Sequence, residues 1–176
     1  MAGERSDVCL EVKGLHTHFF TDEGVVKSVD GADFCARRAR TVCIVGESGC
    51  GKSITARSIL RIVDKPGRIV AGEILLHRAS GQTVDLAKLS PTGGPMRSIR
   101  GREIAMIFQE PMTSLSPVHT IGNQIMETIR LHFRVDKEEA RARAIELLKR
   151  VGIPKADQRL DAYVFQLSGG MRQRAM

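Results

Sequence analysis

Residues Gly46 to Ser53, GESGCGKS, fit the pattern G-x-x-x-x-G-K-[ST] that phosphate-binding loops share. The glycines permit a tight loop whose backbone N–H groups point inward at phosphate oxygens. Lys52 supplies a mobile positive charge for the β- and γ-phosphates, and Ser53 offers a hydroxyl to Mg²⁺. The residues predicted to hold the nucleotide here are Gly46, Glu47, Ser48, Gly49, Cys50, Gly51, Lys52, Ser53 and Ile54.

The cysteines and histidines do not indicate a second kind of site. The four cysteines form no C-x-x-C pair and have no histidines nearby at metal-ligand spacing. Reduced thiols are therefore predicted rather than a disulfide framework. Cys50 lies inside the predicted loop, either as an alkylation-sensitive thiol or as a small filler residue. His16 and His18 make a poor metal site by themselves, and we interpret them as surface residues.

Two short apolar segments are predicted to form the sheet that positions the loop. Residues 41–45, TVCIV, lead directly into it, and residues 104–108, IAMIF, form a second run. Continuous apolar strands are typical of a parallel sheet buried on both faces. A helix is predicted from Ser53 to about Val63 because apolar residues recur at helical spacing. Its N-terminal end would face the same anion as the loop.

The remaining elements divide the chain into an α/β front part and a helical rear part. Strands are predicted at 8–12, 25–29 and 69–76, with a turn at 21–24 and a loop at 80–95. Thr120 can cap a helix carrying Ile121, Ile125 and Ile129. Asp136 and Glu139 form a capping box. The helix behind that box has an apolar face of Ala140, Ala144, Leu147, Leu148 and Val151, and Gly152 with Pro154 ends it.

Composition narrows the class of protein further. The chain has 176 residues, enough for one domain with a hydrophobic core, and a net charge of +7. Its basic residues are dispersed except at 37–40, which favours a solvated surface, so no nucleic-acid partner is expected. The first residues lack the apolar region of a secretory signal. No apolar run reaches the roughly 18 residues that span a bilayer, so any membrane role is predicted to be peripheral and mediated by partners.

Two further segments carry a family resemblance. Residues 167–174, LSGGMRQR, resemble the signature of ABC-type ATPases, and residues 107–117, IFQEPMTSLSP, resemble the Q-loop of the dipeptide, oligopeptide and nickel importer branch. The resemblance runs from about Leu10 to Met176. It implies an α/β fold: a P-loop NTPase core of the ABC ATPase type, with an N-terminal antiparallel β subdomain, an α-helical subdomain and the C-terminal part of the core missing. Residues 1–176 would be a partial nucleotide-binding domain, with the β subdomain and P-loop core at 1–110 and the helical subdomain at 111–176.

The resemblance also assigns roles to single residues. Gln109 would reach Mg²⁺ and the attacking water, so Lys52 and Gln109 are the predicted catalytic residues, while Ser53 and Gln109 are the predicted metal ligands. Phe19 aligns with the aromatic residue that stacks on adenine, although Phe20 is adjacent and an aromatic residue in such a strand can instead belong to the core. The implied cofactors are ATP and Mg²⁺.

The implied partners are two kinds of subunit. Ser168, Gly169 and Gly170 would begin a helix whose amides face the γ-phosphate held by a second ATP-binding subunit, so that ATP joins a head-to-tail dimer. The segment after Gln109 would contact membrane permease subunits. The expected location is the cytoplasmic face of the inner (plasma) membrane, and the expected function is to couple ATP hydrolysis to import of peptides or related solutes.

The sequence departs from the family pattern at several points. Family members continue with an acidic strand, a catalytic glutamate, a dimer-contact loop and a switch histidine, none of which follows Met176. Little turnover by this chain alone is therefore expected, and the unpaired flank of residues 41–45 predicts an unstable chain. Ala39–Arg40 replace the usual Gly-Glu, Ser116 the usual Asn, and Val164–Phe165 the usual Pro-His.

Two other functions stay open at this point. The chain could be a non-catalytic ATP-binding fragment, which is compatible with a transport ancestry. It could also be a non-transport ABC protein that acts on DNA or ribosomes. Those proteins usually carry long coiled-coil or zinc insertions after the Q-loop, whereas the segment between Gln109 and Ser168 has neither heptads nor a Cys cluster.

Overall fold

A computed structural model of the protein describes residues 7–108 and 114–176. The chain divides into two compact units, Met1–Ala105 and Met106–Met176. Within the described ranges, no helix is both long enough and apolar enough to cross a membrane.

The first unit is built on a four-stranded antiparallel sheet. Its strands are β1 (Val8–Thr21), β2 (Gly24–Arg37), β3 (Gly67–His77) and β4 (Thr83–Asp85), in the order β2-β1-β3-β4. The Thr21 hydroxyl donates to the Gly24 carbonyl at 2.9 Å and closes the β1–β2 turn. The three predicted strands and the predicted turn are confirmed, and so is the antiparallel β subdomain.

Alternation along β1 places a core on one face of this sheet. Leu15 and Thr17 are fully buried on this face. The side chains of His16, His18 and Phe20 lie on the opposite face, where the ring centroids of successive residues are 6.0 and 6.5 Å apart. The hydrophobic core of this unit consists of Val12, Leu15, Val29, Ile74, Leu76, Leu86, Met96 and Ile99.

Helix α1 (Lys52–Ile59) ends earlier than the sequence predicted. Arg61 has a positive φ of 55°, which is incompatible with a continuing right-handed helix. The carbonyls of Ser58 and Arg57 accept from the amides of Arg61 and Ile62 at 3.0 and 2.9 Å, so local backbone hydrogen bonds close the end of the helix. The Arg100 guanidinium donates to the two carbonyls that follow the helix, at 2.7 Å from Nε to Leu60 O and at 2.9 Å from Nη2 to Arg61 O.

The predicted loop at 80–95 is wrong in part, because it contains ordered elements. Besides β4, it holds a 3₁₀ turn at Leu86–Lys88 and the start of α2 (Gly94–Ile99). The Asp85 carboxylate accepts from the amides of Ile74 and Ala87 at 3.1 and 3.0 Å, which fixes the turn against β3. Burial acts to raise the pKa of Asp85, but the hydrogen bonds from Lys88 and the two amides outweigh it, and the pKa lies below its ordinary value.

The two predicted parallel strands do not form. Among the described residues, neither 41–45 nor 104–108 has a hydrogen-bonded neighbouring strand, and only a single bridge joins Ile104 to Arg100. Val45 is 90% exposed and Ile107 is 79% exposed, so these runs are not buried on two faces. A strand forms only where a hydrogen-bonded neighbouring strand completes its ladder, and apolar composition alone does not supply that neighbour.

The second unit is helical. It contains α3 (Ile121–His132), α4 (Lys137–Arg150), α5 (Ala156–Leu160) and α6 (Gly169–Ala175). The two predicted N-caps are present, since Thr120 Oγ1 accepts from the Asn123 amide at 3.2 Å and Asp136 Oδ1 from the Glu139 amide at 2.8 Å. The predicted capping box is confirmed only in this half, because the Glu139 carboxylate accepts from Arg143 Nη2 at 2.6 Å. The core of this unit consists of Ile121, Met126, Ile129, Ala140, Ala144, Leu148, Ile153, Ala156, Leu160, Val164 and Leu167.

One part of the predicted apolar face of α4 is wrong. Ala140, Ala144 and Leu148 are buried, but Leu147 and Val151 are exposed. The buried residues recur every four positions and face α3 and α5, whereas Leu147 lies one position away, about 100° around the helix. Leu147 and Val151 instead line an open groove of the same unit.

Candidate functional site

The predicted phosphate loop joins residues 41–45 to the first turn of α1. Gly49 and Gly51 have φ values of 85° and 92°, in the left-handed region that favours glycine. A Cβ at Gly51 would lie 2.1 Å from the Ser28 carbonyl oxygen on β2, whereas one at Gly49 would meet nothing within 4 Å. Gly51 is thus the point where the loop backbone lies directly against the sheet.

The side chain of Lys52 folds back into the loop formed by residues 46–51. Its Nζ donates to the carbonyls of Gly46 and Glu47, each at 2.7 Å, and to Cys50 Sγ at 3.4 Å. The chain therefore curls around one ammonium group. Because this cation is held by exposed loop residues rather than by a carboxylate, it can move to an incoming anion without leaving a buried charge unpaired.

Helix α1 is fixed to the sheet by a short chain of hydroxyl groups. Ser58 Oγ lies 2.7 Å from the Ile54 carbonyl and 2.8 Å from Thr17 Oγ1 on β1, and both hydroxyl-bearing residues are buried. Ile54 packs against the core of the first unit, while Ser53 is exposed in the first turn. The arrangement leaves the Ser53 hydroxyl accessible at the same end of the helix as Lys52.

Phe19 and Phe20 have different environments. Phe19 is half-buried on β1, opposite Val26 of β2 and Gly67 of β3. A Cβ at Gly67 would lie 2.6 Å from Phe19 Cε1, so the ring packs directly over that glycine. Phe20 is on the other face and carries the Arg68 guanidinium 4.1 Å from its ring centroid. The assignment of Phe19 to adenine stacking stays a prediction.

The predicted signature begins α6. Ser168 is the N-cap residue, and its hydroxyl accepts from the Met171 amide at 3.4 Å. Gly169 and Gly170 are the first helical residues, and a Cβ at either would meet none of the residues that the structure describes within 4 Å. Arg172 donates from Nε to the Val164 carbonyl at 2.9 Å, which connects the helix to the residues in front of it.

Gln109 lies outside the described residues, as do the four residues that follow it. The predicted metal ligand and the beginning of the predicted permease contact therefore remain predictions.

Several positioning residues were missed from the sequence. The Ser28 carbonyl restricts Gly51, Thr17 holds Ser58, and Arg100 binds the first carbonyl beyond α1. These contacts link residues 23 to 41 positions apart, and no local pattern indicates them. The sequence offered one signal for the contact with Ser28, namely the glycine that precedes Lys52. Glycine is used where the backbone lies too close to another part of the chain for a side chain to fit.

The donor set of this loop suits a magnesium nucleotide. It offers one ammonium group, an exposed hydroxyl and a glycine backbone that approaches the sheet too closely for any side chain. A compact cation and backbone amides recognise phosphate oxygens, and a serine hydroxyl is a hard oxygen ligand of the kind that Mg²⁺ prefers. The residues present therefore fit ATP with Mg²⁺.

Comparisons with known proteins give consistent results. The family model described as "ABC transporter" matches residues 29–176. A protein of Brucella melitensis biotype 1, named a peptide import ATP-binding protein, is 52% identical over 167 residues, which cover 94% of this chain and 49% of that protein. The glutathione import ATP-binding protein GsiA of Salmonella choleraesuis is 48% identical over 168 residues, covering 95% of this chain and 27% of that protein. The chain thus spans about half the length, or less, of the curated relatives it matches.

Solved structures show the same fold at lower identity. A dimeric bacterial ABC transporter cassette matches with a TM-score of 0.78 and 23% identity, covering 94% of this chain and 66% of that one. A dimeric ATP-binding cassette in a post-hydrolysis state, bound to ADP and Pi, matches with a TM-score of 0.79, 23% identity and the same coverage. At this identity the likeness concerns the fold alone.

Proposed function

This chain belongs to the ABC transporter family, and from that premise we propose that it binds ATP with Mg²⁺ and serves ATP-driven import of peptides or related solutes. The observation that carries this proposal is the loop of residues 46–51 curled around the Lys52 ammonium at the start of α1. Both relatives described above are named for import, one of peptides and one of glutathione, which is itself a peptide. A peptide or peptide-like solute is therefore the class we propose.

Nucleotide binding would proceed by an exchange of partners at Lys52. The ammonium group leaves the carbonyls of Gly46 and Glu47 and turns to the β- and γ-phosphate oxygens. The backbone amides at the start of α1 point toward the same oxygens, where the positive end of the helix favours an anion. Ser53 and Gln109 would hold Mg²⁺, which supplies charge neutralisation on the phosphates when it is bound.

Hydrolysis would require a closed pair of subunits. We assign Ser168, Gly169 and Gly170 to the γ-phosphate of a nucleotide held by a second ATP-binding subunit, in a head-to-tail dimer. The space around both glycines supports this role, because among residues 7–108 and 114–176 no side chain stands in the way of a phosphate that approaches their backbone. Gln109 would orient the attacking water, and the segment after it would contact the permease at the cytoplasmic face of the inner membrane.

The substitution Lys52→Ala tests nucleotide binding. Loss of charge-assisted hydrogen bonds worth about 1.5–3 kcal/mol would weaken ATP affinity by roughly 10- to 150-fold. The measurement is calorimetric titration of the 176-residue chain with Mg-ATP. Lys27→Ala removes a lysine that is 59% exposed and paired with Asp30, and it serves as the matched control. Equal affinity in the Lys52→Ala and Lys27→Ala variants would rule out the proposed site.

A further inference from the structure

An exposed aromatic pair lies immediately in front of the signature. The rings of Tyr163 and Phe165 are stacked, with centroids 5.5 Å apart and planes inclined by 7°. Tyr163 is 40% exposed and Phe165 is 64% exposed. The stacked pair therefore keeps aromatic surface open to solvent, and a larger fraction of Phe165 than of Tyr163 is exposed. Large exposed aromatic surface is costly to maintain and marks a contact site more often than an isolated aliphatic residue does.

The backbone under these rings is held firmly. The Tyr163 amide donates to the Gln166 side-chain oxygen at 2.8 Å, and the Gln166 amide donates to the Tyr163 carbonyl at 3.0 Å. Tyr163 also bridges to Thr120, at the start of α3. The 3₁₀ turn Val164–Gln166 is therefore closed on itself and attached to a neighbouring helix.

The same backbone is attached to the signature helix. Arg172 of α6 donates from Nε to the Val164 carbonyl at 2.9 Å and from Nη2 to the Phe165 carbonyl at 3.4 Å. One guanidinium thus joins the aromatic turn to the helix that begins after Ser168. The aromatic turn and the signature helix are therefore attached to each other, and a ligand that contacts one of them lies close to the other.

We propose that Tyr163 and Phe165 form a stacking surface for the purine base of the nucleotide whose phosphates contact Ser168–Gly170, a nucleotide held by a second copy of the chain. This inference rests on the proposed function, because it requires the signature to face that nucleotide. Phe165 and Ser168 are three residues apart, about 6–10 Å for backbone between 3₁₀ and extended geometry. That separation is within the length of a single nucleotide.

A base fits this surface for a chemical reason. Every purine presents a flat π-face, and stacking on an aromatic side chain is worth about 1–3 kcal/mol per base. The parallel Tyr163–Phe165 pair adds a rigid planar surface with few rotatable bonds, so little entropy is lost on contact. The dimer would then bind the base as well as the phosphates, so that Phe165 adds affinity for a nucleotide over a bare phosphate chain.

Association of the chain with itself tests the proposal. The dimerisation constant is measured by analytical ultracentrifugation with saturating Mg-ATP and, separately, with saturating Mg-tripolyphosphate, which has the phosphates but no base. Saturation removes differences in binding to the first subunit. Because a symmetric head-to-tail dimer contains two such contacts, we expect ATP to give dimers that are roughly 30- to 25,000-fold tighter, as base stacking at both sites predicts. Phe165→Ala should abolish this advantage and leave the tripolyphosphate value unchanged, whereas Phe165→Tyr should keep it.

The controls separate the possible failures. Phe133→Ala removes another exposed phenylalanine of the same unit and should change neither value. Ser168→Arg should prevent association with both ligands. If Phe165→Ala weakened both values equally, the rings would contact protein rather than base, and unchanged values would also overturn the proposal. If the unaltered chain associated with neither ligand, the proposed dimer itself would fail and this inference with it.

Discussion

Replacing Gly51 with alanine tests whether the phosphate loop depends on direct contact with the sheet. The new Cβ would lie 2.1 Å from the Ser28 carbonyl oxygen, and the residue would keep a φ of 92°. Gly49→Ala is a matched control two residues away. It has a similar φ of 85°, but its Cβ would meet nothing within 4 Å. The two variants therefore share the conformational cost and differ in the steric one.

The two costs can be estimated separately. A non-glycine residue in the left-handed region costs about 1–2 kcal/mol, which applies to both variants. A side chain forced against fixed backbone costs a further 1–3 kcal/mol, roughly, because either the loop or β2 must shift. We therefore expect Gly51→Ala to lower the free energy of unfolding by about 2–5 kcal/mol and Gly49→Ala by about 1–2 kcal/mol.

Urea denaturation of the full chain, followed by circular dichroism, measures this difference. With a slope of about 1–3 kcal/mol per molar urea, the Gly51→Ala midpoint should lie roughly 1 M or more below that of the unaltered chain. Hydrogen exchange should show the loss of protection at the β2 amides near Ser28. If Gly51→Ala were no more destabilising than Gly49→Ala, the steric reasoning would be refuted.

Three other substitutions test separate parts of the molecule. Gly122→Ala would place a Cβ 2.7 Å from the Leu160 backbone oxygen, and we expect a loss of about 1–3 kcal/mol in thermal unfolding of the helical unit. Ser168→Arg should leave ATP affinity unchanged in calorimetry while abolishing ATP-dependent dimers; retained dimers would contradict the assigned role. The pKa of Asp85 lies below its ordinary value of 3.8, so its ionised form stabilises the fold above that value and this stability is lost as pH falls through the folded pKa. The stability difference between the unaltered chain and Asp85→Asn should therefore shrink in urea titrations as pH falls from about 6 to about 2.

The features that the sequence predicted well are those that neighbouring residues determine. The N-caps Thr120 and Asp136 act on amides three residues ahead, so their function is visible in a short stretch. The antiparallel strands β1 and β2 are joined by a short turn and needed no distant partner. The start of α6 at Ser168 followed from family resemblance.

The structural features that the sequence did not predict correctly depend on distant parts of the chain, or on a residue type that is compatible with two kinds of structure. Residues 41–45 have the composition of a buried parallel strand, but composition does not supply the neighbouring ladder. Pro95 falls at the end of the predicted loop 80–95. Proline is also favoured in the first turn of a helix, and in the structure Pro95 occupies the first turn of α2. Arg100 binds the carbonyl of Arg61, just beyond α1, from 39 positions away, and no periodicity reveals such a contact.

The hydrogen bonds of Lys52 have a kinetic consequence. Because its ammonium group is shared between two main-chain oxygens at 2.7 Å, capture of a triphosphate at the proposed site would consist of an encounter followed by a relocation of the side chain. The second step has a rate of its own, independent of ligand concentration. The observed rate of binding should therefore reach a plateau at high nucleotide concentration instead of rising linearly, with the lysine acting as an internal competitor for its own loop.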